Sequence, residues 1–220
     1  MTFSTLMEDE NKEYSLHEIT KQIFSLFDMR EADVDAITNC IHSLYSTEYR
    51  KYHAVRHLIH IFHFARKNEV ELTPSQMLAI LFHDIIYVPG NKENEDLSAS
   101  FAKSLLKPFV QANVLETACN IILDTKQHFN TVPDYLEGKS KLVLDLDISS
   151  MSLDYEQFLW WNKLVEEEFE PFGFNDINKR IQFFEMFLSK KSIIQTEQMS
   201  WMEEPIRNNI KRYLEELKAK

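Results

Sequence analysis

The stretch LAILFHDIIYVPG, residues 78–90, decides the fold, because it places His83 and Asp84 in the middle of an apolar segment. An ionised carboxylate that is buried without a partner costs several kcal/mol. Two arrangements would compensate Asp84. A metal ion would take an imidazole nitrogen and a carboxylate oxygen together. Alternatively, Asp84 would pair with an arginine such as Arg50 or Arg56, and His83 would be hydrogen-bonded in the core.

Around this stretch the chain has the features of an all-α protein. Only 3 Gly and 6 Pro occur among 220 residues, so long periodic segments are rarely interrupted. We expect a flexible tail over 1–13 and a single helical domain over 14–220, with about eight to ten helices. Apolar periodicity and capping residues predict helices over about 15–28, 31–45, 51–67, 74–88, 94–107, 111–127, 154–169, 175–190 and 196–218, and a loop over 129–140.

Two segments carry local ambiguity. In KLVLDLDIS, 141–149, apolar residues alternate with Asp145 and Asp147, which is the period of a strand. No partner strand is evident elsewhere in the sequence, so we interpret the segment as a buried helix. Pro205 lies inside the last predicted helix and indicates a kink or break there.

The bulk composition excludes some classes of function. The formal net charge of −11 argues against a partner that is a nucleic acid polymer, which requires a basic surface. A small phosphorylated ligand remains compatible, because a bound metal ion can invert the local field. No segment is long and apolar enough to cross a membrane, and the acidic N-terminus lacks the apolar run of a signal peptide. Cys40 and Cys119 fit buried free thiols, so we expect a cytoplasmic protein.

Histidines line one side of the predicted third helix. At 100° per residue, His53, His57 and His60 fall on one stripe, which is either a ligand-binding face or a solvated face. Phe64 and Ile61 lie within or beside that stripe, so this side of the helix is not wholly polar. Geometry alone leaves both interpretations open.

Together these residues resemble the HD superfamily of metal-dependent phosphohydrolases, in which a histidine, a His-Asp pair and a distant aspartate bind metal. The match extends to a bacterial family of predicted HD-type phosphohydrolases with YHNLxHI, FHDxVYxxxxxDNExxSA, ATxxH, LDADLxxLG and ARxNL segments. The corresponding segments, in the same order, are YHAVRHL (52–58), FHDIIYVPGNKENEDLSA (82–99), TKQH (125–128), LDLDIS (144–149) and IRNNI (206–210). The resemblance covers roughly residues 45–215.

The resemblance implies that His57, His83, Asp84 and Asp147 bind one divalent transition metal, with Asp145 as the alternate to Asp147. Two imidazoles and two carboxylates suit Mn²⁺, Fe²⁺, Co²⁺, Ni²⁺ or Zn²⁺ better than Mg²⁺. This chain departs from the family's pattern at Ala54, Val55 and Leu146, none of which replaces a ligand. His60 and His63 have no counterpart in the family, and we interpret both as incidental.

Further residues are candidates for contact with substrate. The loop PGNKENED, 89–96, leads into a helix whose free N–H groups are suited to bind phosphate. Glu95 is either a general acid/base or a hydrogen-bond partner of His57. The alternative is that Glu95 only stabilises the first turn of the helix through its negative charge. The acidic run EEEFE, 166–170, is interpreted as a solvated face. The candidates for substrate binding are Arg50, His53, Lys92, Lys126 and His128.

The predicted function is hydrolysis of a small phosphorylated compound, plausibly a nucleotide, by a metal-activated water, with Asp84 and Glu95 as the catalytic residues. One alternative is a binding module that holds metal or nucleotide without catalysis. Another is an iron-dependent HD-type oxygenase, which needs two more histidines before the last aspartate. Only His128 lies between Asp84 and Asp147, which disfavours oxygen chemistry. The oligomeric state stays open, because Trp160-Trp161 and IQFFEMFL fit either a core or a subunit interface.

Overall fold

The computed structural model describes residues 14–126, 138–173 and 176–219. This part of the chain is all-helical, as the sequence predicts, and it is compatible with a single-domain helical bundle. Its α-helices are α1 (Leu16–Phe24), α2 (Glu31–Tyr45), α3 (Val55–Lys67), α4 (Pro74–Phe82), α5 (Asn94–Leu106), α6 (Ala112–Thr125), α7 (Lys139–Asp147), α8 (Tyr155–Phe169), α9 (Ile177–Ser189) and α10 (Glu203–Lys218). Single 3₁₀ turns occupy Ser149–Ser152, Glu170–Phe172 and Ser200–Met202.

Capping residues begin the helices where the sequence predicts them. Ser15 and Glu18 form a capping box at α1, and Thr73 and Gln76 form another at α4, with Pro74 in its first turn. Each box satisfies backbone N–H groups that have no partner within the helix. These signals act over three residues, so they hold without any tertiary contact.

Helix α4 is the centre of the bundle. Every one of its residues from Ser75 to Phe82 is buried, and the helix contacts α1, α3, α5, α6 and α7. A helix that is apolar on all sides is stable only when other helices surround it. His83 and Asp84 follow Phe82 directly, and they therefore lie in the interior of the protein.

The end of α4 differs from the prediction, which placed His83 and Asp84 inside a longer helix. The α-helix ends at Phe82, and both residues lie in the turn that follows. In a continued helix the Asp84 N–H would bond to the Ile80 carbonyl, but that carbonyl accepts from His83 Nδ1 at 2.9 Å. The Asp84 N–H donates instead to the Tyr45 hydroxyl at 3.2 Å. A tertiary contact with α2 thus replaces the next helical hydrogen bond.

Helix α3 starts later than predicted. Residues 51–54 form a bend, and the helix begins at Val55, so His53 precedes the helix instead of sharing a stripe with His57 and His60. The cause is a buried acceptor from α8: Glu168 Oε2 takes the N–H groups of Lys51, Tyr52 and His53. These groups are therefore satisfied without helical bonds.

The ambiguous segment 141–149 is helical, and it forms most of α7. The interpretation as a buried helix is confirmed, since four of its central residues from Leu142 to Asp145 are buried. The last helix is shorter than predicted: α10 begins at Glu203 and Pro205 lies in its first turn. Proline lacks an N–H group, and the first turn is the place where that loss breaks no helical bond.

Some predictions fall on residues outside the described ranges. They are the tail over 1–13, His128 and most of the loop over 129–140. Within the described ranges no helix combines the length and the apolar character needed to cross a lipid bilayer.

Candidate metal centre

His83 is held so that one ring nitrogen faces two carboxylates. Its Nδ1 donates to the Ile80 carbonyl at 2.9 Å, and Nε2 lies 2.9 Å from Asp84 Oδ2 and 3.4 Å from Asp147 Oδ1. A carbonyl accepts only, so Nδ1 carries a proton and Nε2 is the nitrogen available to a ligand. Nε2 is buried and makes no hydrogen bond of acceptable geometry. A backbone carbonyl that accepts from the other ring nitrogen and so fixes the tautomer is typical of metal-binding histidines.

The charge balance around His83 indicates a need for a cation. Burial opposes protonation of His83, but the carboxylates of Asp84 and Asp147 outweigh it and raise its pKa well above the usual value. The ring therefore tends to keep a positive charge where two acidic groups converge. A metal ion at this position would supply the same compensation and leave the imidazole neutral.

His57 and Asp147 complete the cluster from two other helices. His57 lies in the first turn of α3 and is fully buried, and its Nε2 is 2.7 Å from Oδ1 of Asp147, the last residue of α7. Burial lowers the pKa of His57, although Asp147 counteracts it. A neutral imidazole is the form that binds metals. Nδ1 of His57 is buried and also lacks a hydrogen-bond partner among the described residues.

His57, His83 and Asp147 form a group that could hold a metal ion, because their ligand atoms all lie within 4.8 Å of one another. The two imidazoles and the carboxylate come from α3, the turn after α4, and the end of α7. Two nitrogens and one oxygen form a donor set suited to divalent transition metals. The residues present therefore fit a metal ion, and the sequence predicted these three ligands.

Asp84, predicted as a fourth ligand, lies against this group without belonging to it. Burial opposes its ionisation, but the neighbouring His83 and His53 lower its pKa well below the usual range. Its carboxylate is thus ionised beside the His83 ring. Within the described part of the chain no arginine pairs with this carboxylate, and Arg56 lies over the Trp160 ring instead.

Arg50 has a structural position that differs from its predicted contact with substrate. Its guanidinium donates to the carbonyls of His53, Asp84 and Ile85 at 3.2, 2.7 and 3.0 Å. The cation also lies over the rings of Tyr45 and Tyr87. Arg50 therefore links the bend before α3 to the turn after α4, and its guanidinium group faces backbone carbonyls.

Asp145, the alternate ligand, serves another purpose. Its two carboxylate oxygens accept from the N–H groups of Gln195 and Thr196 at 2.8 Å each and from the Thr196 hydroxyl at 2.6 Å. Burial raises the pKa of Asp145, against the effect of these bonds. In a helix, residues i and i+2 point to different sides, so Asp147 faces the histidines while Asp145 holds the loop before α10.

Glu168 is the residue that sequence analysis missed. It lies in the run EEEFE, predicted to be a solvated face, yet its exposed fraction is 0%. Besides three backbone N–H groups it binds His53 Nδ1 at 2.5 Å. A signal was present, because Trp161, Leu164 and Glu168 recur at helical spacing on the buried side of α8. Glu166 is also engaged, with Arg180 and Tyr213.

His53 faces the same region as the metal group. Its ring stacks on Tyr87 with a centroid distance of 4.1 Å, and its side chain is 19% exposed. Burial opposes protonation of His53, but the carboxylates of Asp84 and Glu168 prevail and raise its pKa. An imidazole with a raised pKa next to the metal group is suited to donate hydrogen bonds to an anion.

The loop after the His-Asp pair is held by two polar residues of α5. The Asn94 side chain bonds both the N–H and the carbonyl of Val88, and Ser98 does the same for Ile86. These bonds explain why asparagine and serine stand at this spacing in NEDLS. Both residues are buried, and they fix the direction in which the chain leaves Asp84.

Other predicted site residues are not brought to the metal group. Among the described residues His57 Nδ1 has no hydrogen-bond partner, so the predicted bond from Glu95 to His57 is not formed. Lys92 is exposed in the loop before α5. Lys126 binds Asp96 at 2.6 Å in an exposed ion pair. None of these three residues lines the cavity that reaches Asp147.

That cavity has a volume of about 670 Å³ and includes both His53 and Asp147 in its lining. Tyr52 and Trp161 also line it, and their rings meet edge to face at 5.4 Å. Its volume is within the range of ~300–1,000 Å³ that is usual for small-molecule sites. Trp161 is thus a cavity residue, whereas the adjacent Trp160 is 48% exposed.

Comparison with known protein families finds no family model that matches the chain, and comparison with curated proteins finds no match. The resemblance to HD-type phosphohydrolases therefore rests on the sequence segments, and it stays a prediction.

Proposed function

We propose that the protein is a metal-dependent phosphohydrolase that acts on a small phosphorylated compound. The observation that carries this proposal is the group of His57, His83 and Asp147 beside a cavity of small-molecule size. A divalent metal at such a group lowers the pKa of bound water and polarises a phosphoryl oxygen. The proposed cofactor is one ion of Mn²⁺, Fe²⁺, Co²⁺, Ni²⁺ or Zn²⁺.

The roles of the protein's own side chains follow from their contacts. His57, His83 and Asp147 would hold the cation, and the ionised Asp84 beside His83 would add charge or accept a proton from the water. His53, kept cationic and oriented by Glu168, would bind a phosphoryl oxygen from the cavity side. Electrostatic stabilisation of charge that develops in the transition state is the largest contribution in many such reactions.

The first test is metal content. The purified protein would be stripped with a chelator, reloaded with each candidate metal and Mg²⁺ in turn, and measured by mass spectrometry of the metal. We expect one ion per chain for wild type and a loss of retention in His83→Ala and Asp147→Asn. His63→Gln is the matched control, since His63 is also on α3 but bonds the Tyr14 backbone instead of the metal group.

The second test is turnover. Phosphate release would be followed from p-nitrophenyl phosphate, a nucleotide panel and alkyl phosphates with each loaded form. Release that disappears in Asp147→Asn and persists in His63→Gln would support the proposal. Tight metal binding without release from any ester would favour a binding module, and oxygen uptake by the iron form would favour an oxygenase.

A further inference from the structure

The cavity beside the metal group is lined mainly by apolar and aromatic side chains. Helix α8 contributes Phe158, Trp161 and Val165, and α9 contributes Ile177, Phe183 and Phe187. Ile177 and Phe183 are 43% and 41% exposed, so apolar surface continues from the cavity to solvent. Exposed large apolar side chains that continue a cavity are typical of a site for an apolar ligand.

Several polar side chains of the lining are already engaged with protein partners. Glu166 binds Arg180 and the Tyr213 hydroxyl, and the Asn162 amide donates to the Phe158 carbonyl at 2.9 Å. Recognition of a nucleobase needs donors and acceptors that are directed at its edge. In this lining the Glu166 carboxylate and the Asn162 amide nitrogen are directed at other groups of the protein.

Acidic groups border the same space. Glu166, Asp176 and Asp147 line the cavity together with the cations Lys179 and Arg180, of which Arg180 pairs with Glu166. Asp176 caps α9 by accepting from the Asn178 N–H at 2.9 Å. A triphosphate would place several negative charges beside these carboxylates, whereas a single phosphoryl group would be matched by one divalent ion and His53.

We infer that the substrate is a phosphomonoester of an alcohol with an extended apolar chain, with its phosphoryl group at the metal group and its chain in the cavity. This inference rests on the proposed function for the reaction and on the cavity for the substrate class. In the reaction the oxygen of water bonds to phosphorus and the P–O bond to the alcohol breaks. The alcohol oxygen leaves with a proton that originates from the water, so the products are the free alcohol and inorganic phosphate.

The test is a homologous series measured in two independent ways. Metal-loaded protein would be titrated by calorimetry with butyl, hexyl and octyl phosphate, with AMP and with octanol, and phosphate release would be measured in parallel. Each methylene group that enters an apolar site is expected to tighten binding about fourfold. We therefore expect octyl phosphate to bind on the order of a hundredfold more tightly than butyl phosphate, and more tightly than AMP.

Two cavity variants with a matched control make the assignment specific. Ile177→Ser and Phe183→Ser each remove partly exposed apolar surface from the lining, so the protein should still fold. Each is expected to weaken octyl phosphate binding about tenfold and to leave butyl phosphate binding nearly unchanged. Leu97→Ser is the control, because Leu97 has the same 43% exposure as Ile177 and does not line the cavity.

The outcomes separate this inference from the proposed function. Equal binding of butyl and octyl phosphate, or tighter binding of AMP, would overturn the apolar substrate class even if phosphate is released. Binding that increases with chain length, exceeds that of octanol and depends on Ile177 or Phe183 would support it. Such binding without any phosphate release would uphold the ligand class and reject the hydrolase.

Discussion

Removal of the Glu168 carboxylate should lower the unfolding free energy much more than removal of an exposed carboxylate in the same acidic run. Oε2 accepts the N–H groups of Lys51, Tyr52 and His53 at 2.8, 2.9 and 2.9 Å, and Oε1 binds the His53 ring. Glu168→Ala leaves these donors without an acceptor in a place where the glutamate is fully buried. The loss of one partner from a buried charged network costs about 3–5 kcal/mol of unfolding free energy.

The assay is urea unfolding at pH 7 followed by circular dichroism. Glu168→Gln is expected to cost less, about 1–2 kcal/mol, because its amide oxygen still accepts the backbone N–H groups but its charge is gone. Glu167→Gln is the control, since Glu167 is 44% exposed and pairs with Lys163 on the surface of α8. Its effect should stay within about 0.5 kcal/mol.

A second readout tests the electrostatic part of the same reasoning. The pKa of His53 is raised because the carboxylates of Asp84 and Glu168 outweigh its burial. In Glu168→Gln the His53 pKa should therefore fall, as followed by NMR titration of the ring protons. If Glu168→Gln and Glu167→Gln have equal stability and the His53 titration does not move in Glu168→Gln, the network does not hold the bend before α3.

Two further predictions concern Glu203 and Tyr45, which do not line the cavity. Burial opposes ionisation of Glu203, the first residue of α10, but the N–H groups of Ile194 and Ile193 that it accepts lower its pKa below the usual 4.5. The ionised carboxylate therefore stabilises the protein above pH 4.5, and this stabilisation is lost as the pH falls through the lowered pKa. Glu203→Gln should lower the unfolding free energy by about 1–2 kcal/mol at pH 7 and by less at pH 3. Glu204→Gln, on an exposed side chain of the same first turn, is the control for the urea titrations at both pH values. Tyr45→Phe should cost about 1–3 kcal/mol and speed amide exchange at Asp84, because that N–H loses its acceptor; unchanged exchange measured by NMR would contradict this role for the hydroxyl.

Local signals explain which parts of the fold could be predicted. The capping boxes at Ser15 and Thr73, the apolar periodicity of α3 and the proline at the start of α4 act within a few residues. The conflict of a histidine and an aspartate inside an apolar run also needs no tertiary information. For these reasons the all-helical class follows from the chain alone, and so does the unusual burial of His83 and Asp84, whereas His57 as a ligand follows from the resemblance to the HD superfamily.

The errors in the predicted ends of α3 and α4 have a common cause, which is contact between residues that are far apart in the chain. The end of α4 depends on the Tyr45 hydroxyl, which accepts from Asp84 across 39 positions. The late start of α3 depends on Glu168, which binds the His53 backbone across 115 positions. The neighbours of Tyr45 in sequence do not mark its hydroxyl as an acceptor, and the helical spacing that marks Glu168 as buried does not identify its partner before α3.

The amino-acid sequence by itself determined that this chain forms helices and that acidic and imidazole groups must be buried together. Periodicity and capping are short-range properties, and the cost of a buried charge depends on residue type. Only the tertiary structure decided that Asp147 meets the histidines while Asp145 binds the loop at Gln195 and Thr196. Two carboxylates separated by one residue are equivalent in the sequence, and they become different only when α7 packs against α3 and α4, so that Asp147 faces the histidines and Asp145 faces the loop before α10.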